Sequence, residues 1–198
     1  MDDLLVAQGK LQAEADALVA ALDLKAELEK LGHPTRVGSS ALGLMVRRDI
    51  DITVSCAKLD DATLAGFAQL GALLMQRTDL VLGVRFRNDA GSWNAEPERY
   101  PDGLYLGLSA RTALGDNWTF DIWLVDQPER QPDLKDLRTL LPRLTDEARR
   151  TILGIKHELA KGDGTEPRLP SALVYEAVMD HGVLDVAGFE AWYAGRAR

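Results

Sequence analysis

The sequence predicts an α+β chain: a mixed β-sheet flanked by helices, then a helical C-terminal part. Three observations predict it. A leucine-spaced segment opens the chain. Four short segments, "DIDITVSC", "LVLGVRFRN", "GLYLGLSA" and "WTFDIWLV", are β-branched or alternate apolar with polar residues. Past residue 130 the pattern turns helical, with capping and stop signals. This gives an α/β domain over 1–130 and a helical domain over 131–198. The 198 residues, 46% of them hydrophobic, suffice for a real core and suit one domain, or one with a small appendage.

Residues 3–31 read as one helix, because Leu4, Leu11, Leu18, Leu22, Leu28 and Leu31 fall largely on one side. Gly32 and Pro34 stop it. "TRVGS" is short enough for a first strand. "SALGLMVRR" has room for two helical turns, which Ser39 or Ser40 can cap, and "DIDITVSC" is the next strand. "LDDATLAGFAQLGALLMQRTD" reads as a helix capped by Asp60 or Asp61, with Leu64, Phe67, Leu70 and Leu74 as its apolar face. Three strands follow. The first two are separated by the polar loop "DAGSWNAEPERYPD" and the last two by "RTALGDN", and antiparallel pairing suits all three. "LKDLRTLLPRL" is a helix broken by Pro142. Thr145 caps "DEARRTILGIKHELAK", which ends at Gly162. "KGDGTEPRLP" is a linker, "SALVYEAVMD" ends at Gly182, and "DVAGFEAWYAG" is the last helix.

The charge balance narrows the partners. Lys and Arg number 23 against 31 Asp and Glu, a formal net charge of -8. A broad polyphosphate-binding surface needs many cations, so nucleic acid is an unexpected partner. A small substrate, a cationic one, or a nucleotide arriving with its metal ion fits. One cysteine, Cys56, excludes an internal disulfide and suits a reducing compartment. The start "MDDLLVAQGK" lacks a signal-peptide pattern and no stretch reaches transmembrane length, so the expectation is a cytoplasmic protein with no membrane association.

"VGSSALGLMVRRDIDITV" carries the chemistry. On a strand, residues two apart share a face, so Asp49 and Asp51 point together while Ile50 and Ile52 enter the core. Paired carboxylates repel each other and resist burial. A divalent ion of the magnesium or manganese type would offset both costs. Upstream, Gly38-Ser39-Ser40 opens the short helical stretch, where free N–H groups and hydroxyls favour an anion. Gly43 inside those turns costs about 1 kcal/mol relative to alanine and is expected to mark a close backbone approach. Asp121 alternates with Phe120 and Ile122. Should its strand lie beside that of Asp49 and Asp51, three acids converge, enough for two metal ions, or for one ion with the third acid as general base. Asp126 is the rival third acid.

Gly38-Ser39, then Asp49-Ile50-Asp51, then a distant strand acid at Asp121 resembles the DNA polymerase beta-like nucleotidyltransferase superfamily, in its small bacterial aminoglycoside-modifying or minimal form. Ala41 and Gly43 also match the minimal members, whereas Leu42 and Arg48 stand where these often carry arginine and serine. The resemblance implies a nucleotidyltransferase-like sheet and a magnesium-dependent transfer of a nucleoside monophosphate from a triphosphate to a hydroxyl of a small molecule or protein. It implies that Asp49, Asp51 and Asp121 bind metal, and that Gly38, Ser39 and Ser40 lie against the phosphates. Arg48 and Lys156 are expected to contact the nucleotide, with Arg47, Arg85 and Arg87 as further cations. The alternative is a catalytically inactive member of this fold that binds a nucleotide or a protein partner. Oligomeric state is not readable. His33, His157 and His181 lack metal-ligand spacing. Cys56 reads as a buried thiol, and Trp93, Trp118, Trp123, Trp192 and Tyr175 as packing residues.

Overall fold

The computed structural model describes residues 2–161 and 169–196. The opening segment is two helices, not one: α1 (Asp2–Ala21) and α2 (Leu24–Glu29). The chain breaks at Asp23, whose φ of 50° is the one positive value at a non-glycine among the described residues. Aspartate tolerates this region better than most residues. The break has a packing reason. Leu22 and Leu24 would point about 200° apart on a continuous helix, yet both are buried. Arg77 Nη1 donates to the Ala21 carbonyl oxygen at 2.7 Å, where α1 ends.

Strand β1 (His33–Val37) leads into α3 (Gly38–Leu42), then β2 (Asp49–Ser55). Two expectations for this turn are corrected. Helix α3 is five residues long, and Gly43 ends it in the left-handed region at φ 68°, so Gly43 is a terminator rather than an interior residue. Neither Ser39 nor Ser40 caps it. Val37 holds the cap position without a side-chain bond, and Ser40 Oγ donates back to the Val37 carbonyl oxygen at 3.2 Å.

Helix α4 (Asp61–Met75) starts at Asp60, whose carboxylate accepts from the Thr63 N–H at 3.0 Å. Phe67, Leu70 and Leu74 are buried; Leu64, expected on the same face, is exposed and borders a shallow groove with Phe86. Strands β3 (Val81–Asp89), β4 (Gly103–Arg111) and β5 (Asn117–Val125) form the expected antiparallel pairs. The five-stranded sheet runs β1-β2-β5-β4-β3, with β2 and β5 parallel.

Helix α5 (Pro132–Leu140) passes into a 3-10 turn, Leu141–Arg143, at Pro142. Helix α6 (Asp146–Ala160) begins at Thr145, whose hydroxyl accepts from the Ala148 N–H at 3.1 Å. The expected stop at Gly162 and most of the expected linker lie outside the described residues. Helix α7 (Ser171–His181) ends at Gly182, φ 66°, and α8 (Val186–Arg196) follows. One apolar cluster lies between the sheet and α1, α2 and α4. A second joins Ile152, Leu153, Val174 and Phe189 of the C-terminal helices to Leu42 and Leu44, beside the Gly38-Ser39 turn.

Candidate active site

Alternation in β2 buries Ile50 and Ile52 and leaves Asp49 and Asp51 half-buried on the opposite face. The parallel pairing sets Asp51 opposite Asp121 and Asp49 opposite Thr119. One carboxylate oxygen from each of Asp49, Asp51 and Asp121 lies within 4.8 Å of the other two. The three acids predicted to converge do so. Asp126 lies outside this group, accepting from the Leu59 N–H at 3.4 Å.

The three carboxylates have different surroundings. Thr119 Oγ1 donates to Asp49 Oδ1 at 2.6 Å. Tyr105 Oη donates to Asp121 Oδ1 at 2.5 Å. Asp51 faces Gly38. Burial, and next the charge of Asp49, pushes the Asp51 carboxyl up to about 7. Gly38 has φ 62°, and a Cβ there would lie 2.2 Å from Asp51 Oδ2. Glycine is therefore required twice over, for the backbone conformation and for the approach to the acid. Three clustered hard oxygen donors fit a divalent cation of the magnesium or manganese class.

No protein-family model matches the chain, and no curated protein is similar enough to match it. Solved structures do match. They include a mutant of the Cid1 poly(U) polymerase bound to MgATP (TM-score 0.61, 19% identity, covering 85% of this chain and 49% of that one). They also include Cid1 with the UTP analogue UMPNPP (TM-score 0.55, 17% identity, 90% of this chain and 48% of that one). A further Cid1 structure, described for its RNA terminal uridylyl transferase activity, has a TM-score of 0.57 at 15% identity, covering 94% of this chain and 54% of that one. The chain has the nucleotidyltransferase fold. It spans about half the length of the chains it matches.

In this nucleotidyltransferase fold, a cleft of about 1710 Å³ is lined by Gly38, Ser39, Asp49, Asp51, Lys156 and Tyr175 among others. Lys156 is 8% exposed. Its Nζ donates to the Leu44 carbonyl oxygen at 2.7 Å and to Tyr175 Oη at 3.2 Å. Burial pushes its amine down to about 8, against the opposing pull of Asp51. Tyr175, expected in the core, is buried, and its ring also borders the cleft. Burial raises its phenol above the ordinary range.

Other predicted residues are placed differently. Ser40 is buried on Val37 and does not line the cleft. Arg48 turns to Glu14 (2.9 Å) and Asp116 (3.1 Å), and it is Arg47 that lines the cleft. Arg85 donates to Tyr105 Oη at 3.2 Å and does not line the cleft, whereas Arg87 does line it, pairing with Asp89 at 2.8 Å. Trp93 is 71% exposed rather than packed. Cys56 is half-buried, its thiol donating to the Val125 carbonyl oxygen at 3.4 Å.

Tyr105, Thr119, Asp133 and Asp136 escaped sequence reasoning. Asp133 and Asp136 of α5 line the cleft, and burial raises both carboxyls. Their i, i+3 spacing in "PDLKDL" reads as an ordinary solvated helix face. Tyr105 and Thr119 carry a usable signal only once the strand register is known.

Proposed function

We propose that the protein is a magnesium- or manganese-dependent nucleotidyltransferase that moves a nucleoside monophosphate from a nucleoside triphosphate to a hydroxyl of a small molecule or a protein. One observation carries this reading: the Asp49, Asp51 and Asp121 carboxylates cluster, and Asp49 and Asp51 line a cleft bordered by the Gly38-Ser39 turn. Triphosphate donors agree with the MgATP and UTP analogue held by the Cid1 structures.

In this reading the three aspartates would hold the divalent ion, which would supply neutralising charge for the phosphates. Gly38 and Ser39 lie against the β- and γ-phosphates through their N–H groups, and Lys156 and Arg47 supply positive charge from the cleft wall. The acceptor oxygen bonds to the α-phosphorus as the bond from that phosphorus to the bridging oxygen breaks. Pyrophosphate leaves. Asp121 is the carboxylate assigned to the acceptor's proton or to the catalytic ion. Asp133 and Asp136 put further acid on the cleft, which disfavours a polyphosphate acceptor and suits a neutral or cationic one.

Thermal unfolding tests the reading. The chain is heated with ATP, GTP, CTP or UTP, with and without Mg²⁺, beside an Asp49→Ala, Asp51→Ala double variant. A ligand at a hundred times its Kd stabilises the folded state by about 2.7 kcal/mol. The expected result is a magnesium-dependent rise in Tm for at least one triphosphate, absent in the variant. No rise with any triphosphate at millimolar concentration sinks it.

A further inference from the structure

We infer that Tyr105 is a positioning residue for the third carboxylate: its hydroxyl fixes the rotamer of Asp121, and with it the geometry of the metal site. This rests on the functional reading above. Three independent features of the fold converge on that hydroxyl.

The first is the donor and acceptor inventory. Tyr105 Oη lies 2.5 Å from Asp121 Oδ1 and 3.2 Å from Arg85 Nη2. A guanidinium only donates, and an ionised carboxylate only accepts. The phenol has one proton, so that proton points at Asp121 while the oxygen accepts from Arg85. The hydrogen bond has one possible direction. It occupies Oδ1, and the other oxygen of Asp121 has no protein hydrogen bond among the described residues.

The second is strand register. Tyr105 sits across β4–β5 from Trp123, and Asp121 sits across from Gly107. To reach Asp121 the tyrosine ring leans along its own strand over Gly107. A Cβ at Gly107 would lie 2.7 Å from Tyr105 Oη and 3.2 Å from the ring. The glycine keeps the path open.

The third is how the ring is held. Arg87 lies over it at 4.9 Å and Arg85 at 5.3 Å from the ring centre, and Trp123 packs at 5.1 Å. Tyr105 is 6% exposed. A ring confined on this many sides keeps its hydroxyl in place, and groups that orient metal-binding carboxylates in this way tune affinity and rate.

The test compares wild type, Tyr105→Phe, Gly107→Ala, Arg85→Met and Asp121→Asn. Mn²⁺ binding to the nucleotide-free protein is read by the paramagnetic resonance of free Mn²⁺, and triphosphate turnover is read separately. Tyr105→Phe keeps the ring and is expected to weaken Mn²⁺ binding about tenfold and to lower kcat about 10- to 100-fold, with KM for the triphosphate little changed. Gly107→Ala displaces the hydroxyl and should shift both in the same direction. Arg85→Met should do so by a smaller factor. Should Tyr105→Phe fail to fold, the Arg85→Met result decides, since Arg85 is an exposed side chain. Mn²⁺ affinity and kcat equal to wild type, or tighter Mn²⁺ binding, in a folded Tyr105→Phe variant overturns the inference while the functional reading stands. Wild type that binds no more Mn²⁺ than Asp121→Asn overturns the inference, and wild type that also turns over no triphosphate overturns both.

Discussion

At the scale of single residues, Asp51 carries a large electrostatic load. Burial and the neighbouring Asp49 raise its carboxyl from 3.8 in the free side chain to about 7. The sign follows from linkage. Between these values the folded state binds the proton more tightly than the unfolded chain, so ionisation favours unfolding. The metal-free protein should therefore lose stability as pH rises from about 4 to about 7, then level off. Metal binding displaces the same proton, so stabilisation by Mg²⁺ or Mn²⁺ should grow across this window. Melting curves from pH 5 to 8 check both trends. Asp51→Asn should flatten the first and abolish the second. An unchanged pH profile in Asp51→Asn would show that another group governs it.

At the scale of one element, the informative piece is the five-residue helix α3. Glycines bracket it, Gly38 at φ 62° and Gly43 at φ 68°. Its hydrogen bonds cannot hold so short a helix in isolation; its neighbours do. Arg149 of α6 donates to the Leu42 carbonyl oxygen, and Lys156 donates to that of Leu44. Gly38→Ala should cost about 1 to 3 kcal/mol for the strained backbone alone. Its Cβ would also displace Asp51, so the magnesium–triphosphate effect on Tm should disappear with it. Retention of that effect in a folded Gly38→Ala protein would show that the turn tolerates a side chain beside the acid. Of this element, the sequence shows the glycine and the two serines. It hides which serine faces the cleft, because a one-residue change in where the helix starts exchanges Ser39 and Ser40.

Across the whole molecule, a sheet bearing the acids and a set of C-terminal helices share one cleft, and Lys156 joins them. The amine is buried, and burial holds it near 8 rather than 10.5. Between these values the unfolded chain binds more protons, so stability should rise with pH from about 8 to about 10.5. Lys156→Met removes that titration, so its melting temperature should rise less than that of wild type between about pH 8 and about pH 10, and triphosphate binding should weaken. A variant that keeps the wild-type pH profile would show that another group governs it.

The sequence alone was enough for the α+β class, the strand segments, the stop at Gly182, the cap at Thr145, a cap at Asp60 or Asp61, and the pair Asp49 and Asp51. Each is a local property, readable from periodicity or from a residue's own backbone preferences. It also pointed to Asp121 as the third acid, conditional on a neighbouring strand. Only the tertiary structure decided the rest. The parallel β2–β5 pairing set Asp121 opposite Asp51, the leucines at 22 and 24 split the first helix, and Glu14 and Asp116 drew Arg48 away from the cleft. Tyr105 and Thr119 became site residues, and Asp133 and Asp136 joined the cleft, through contacts between segments far apart in the chain. Such contacts depend on strand register and helix docking, which one chain's local periodicity does not encode.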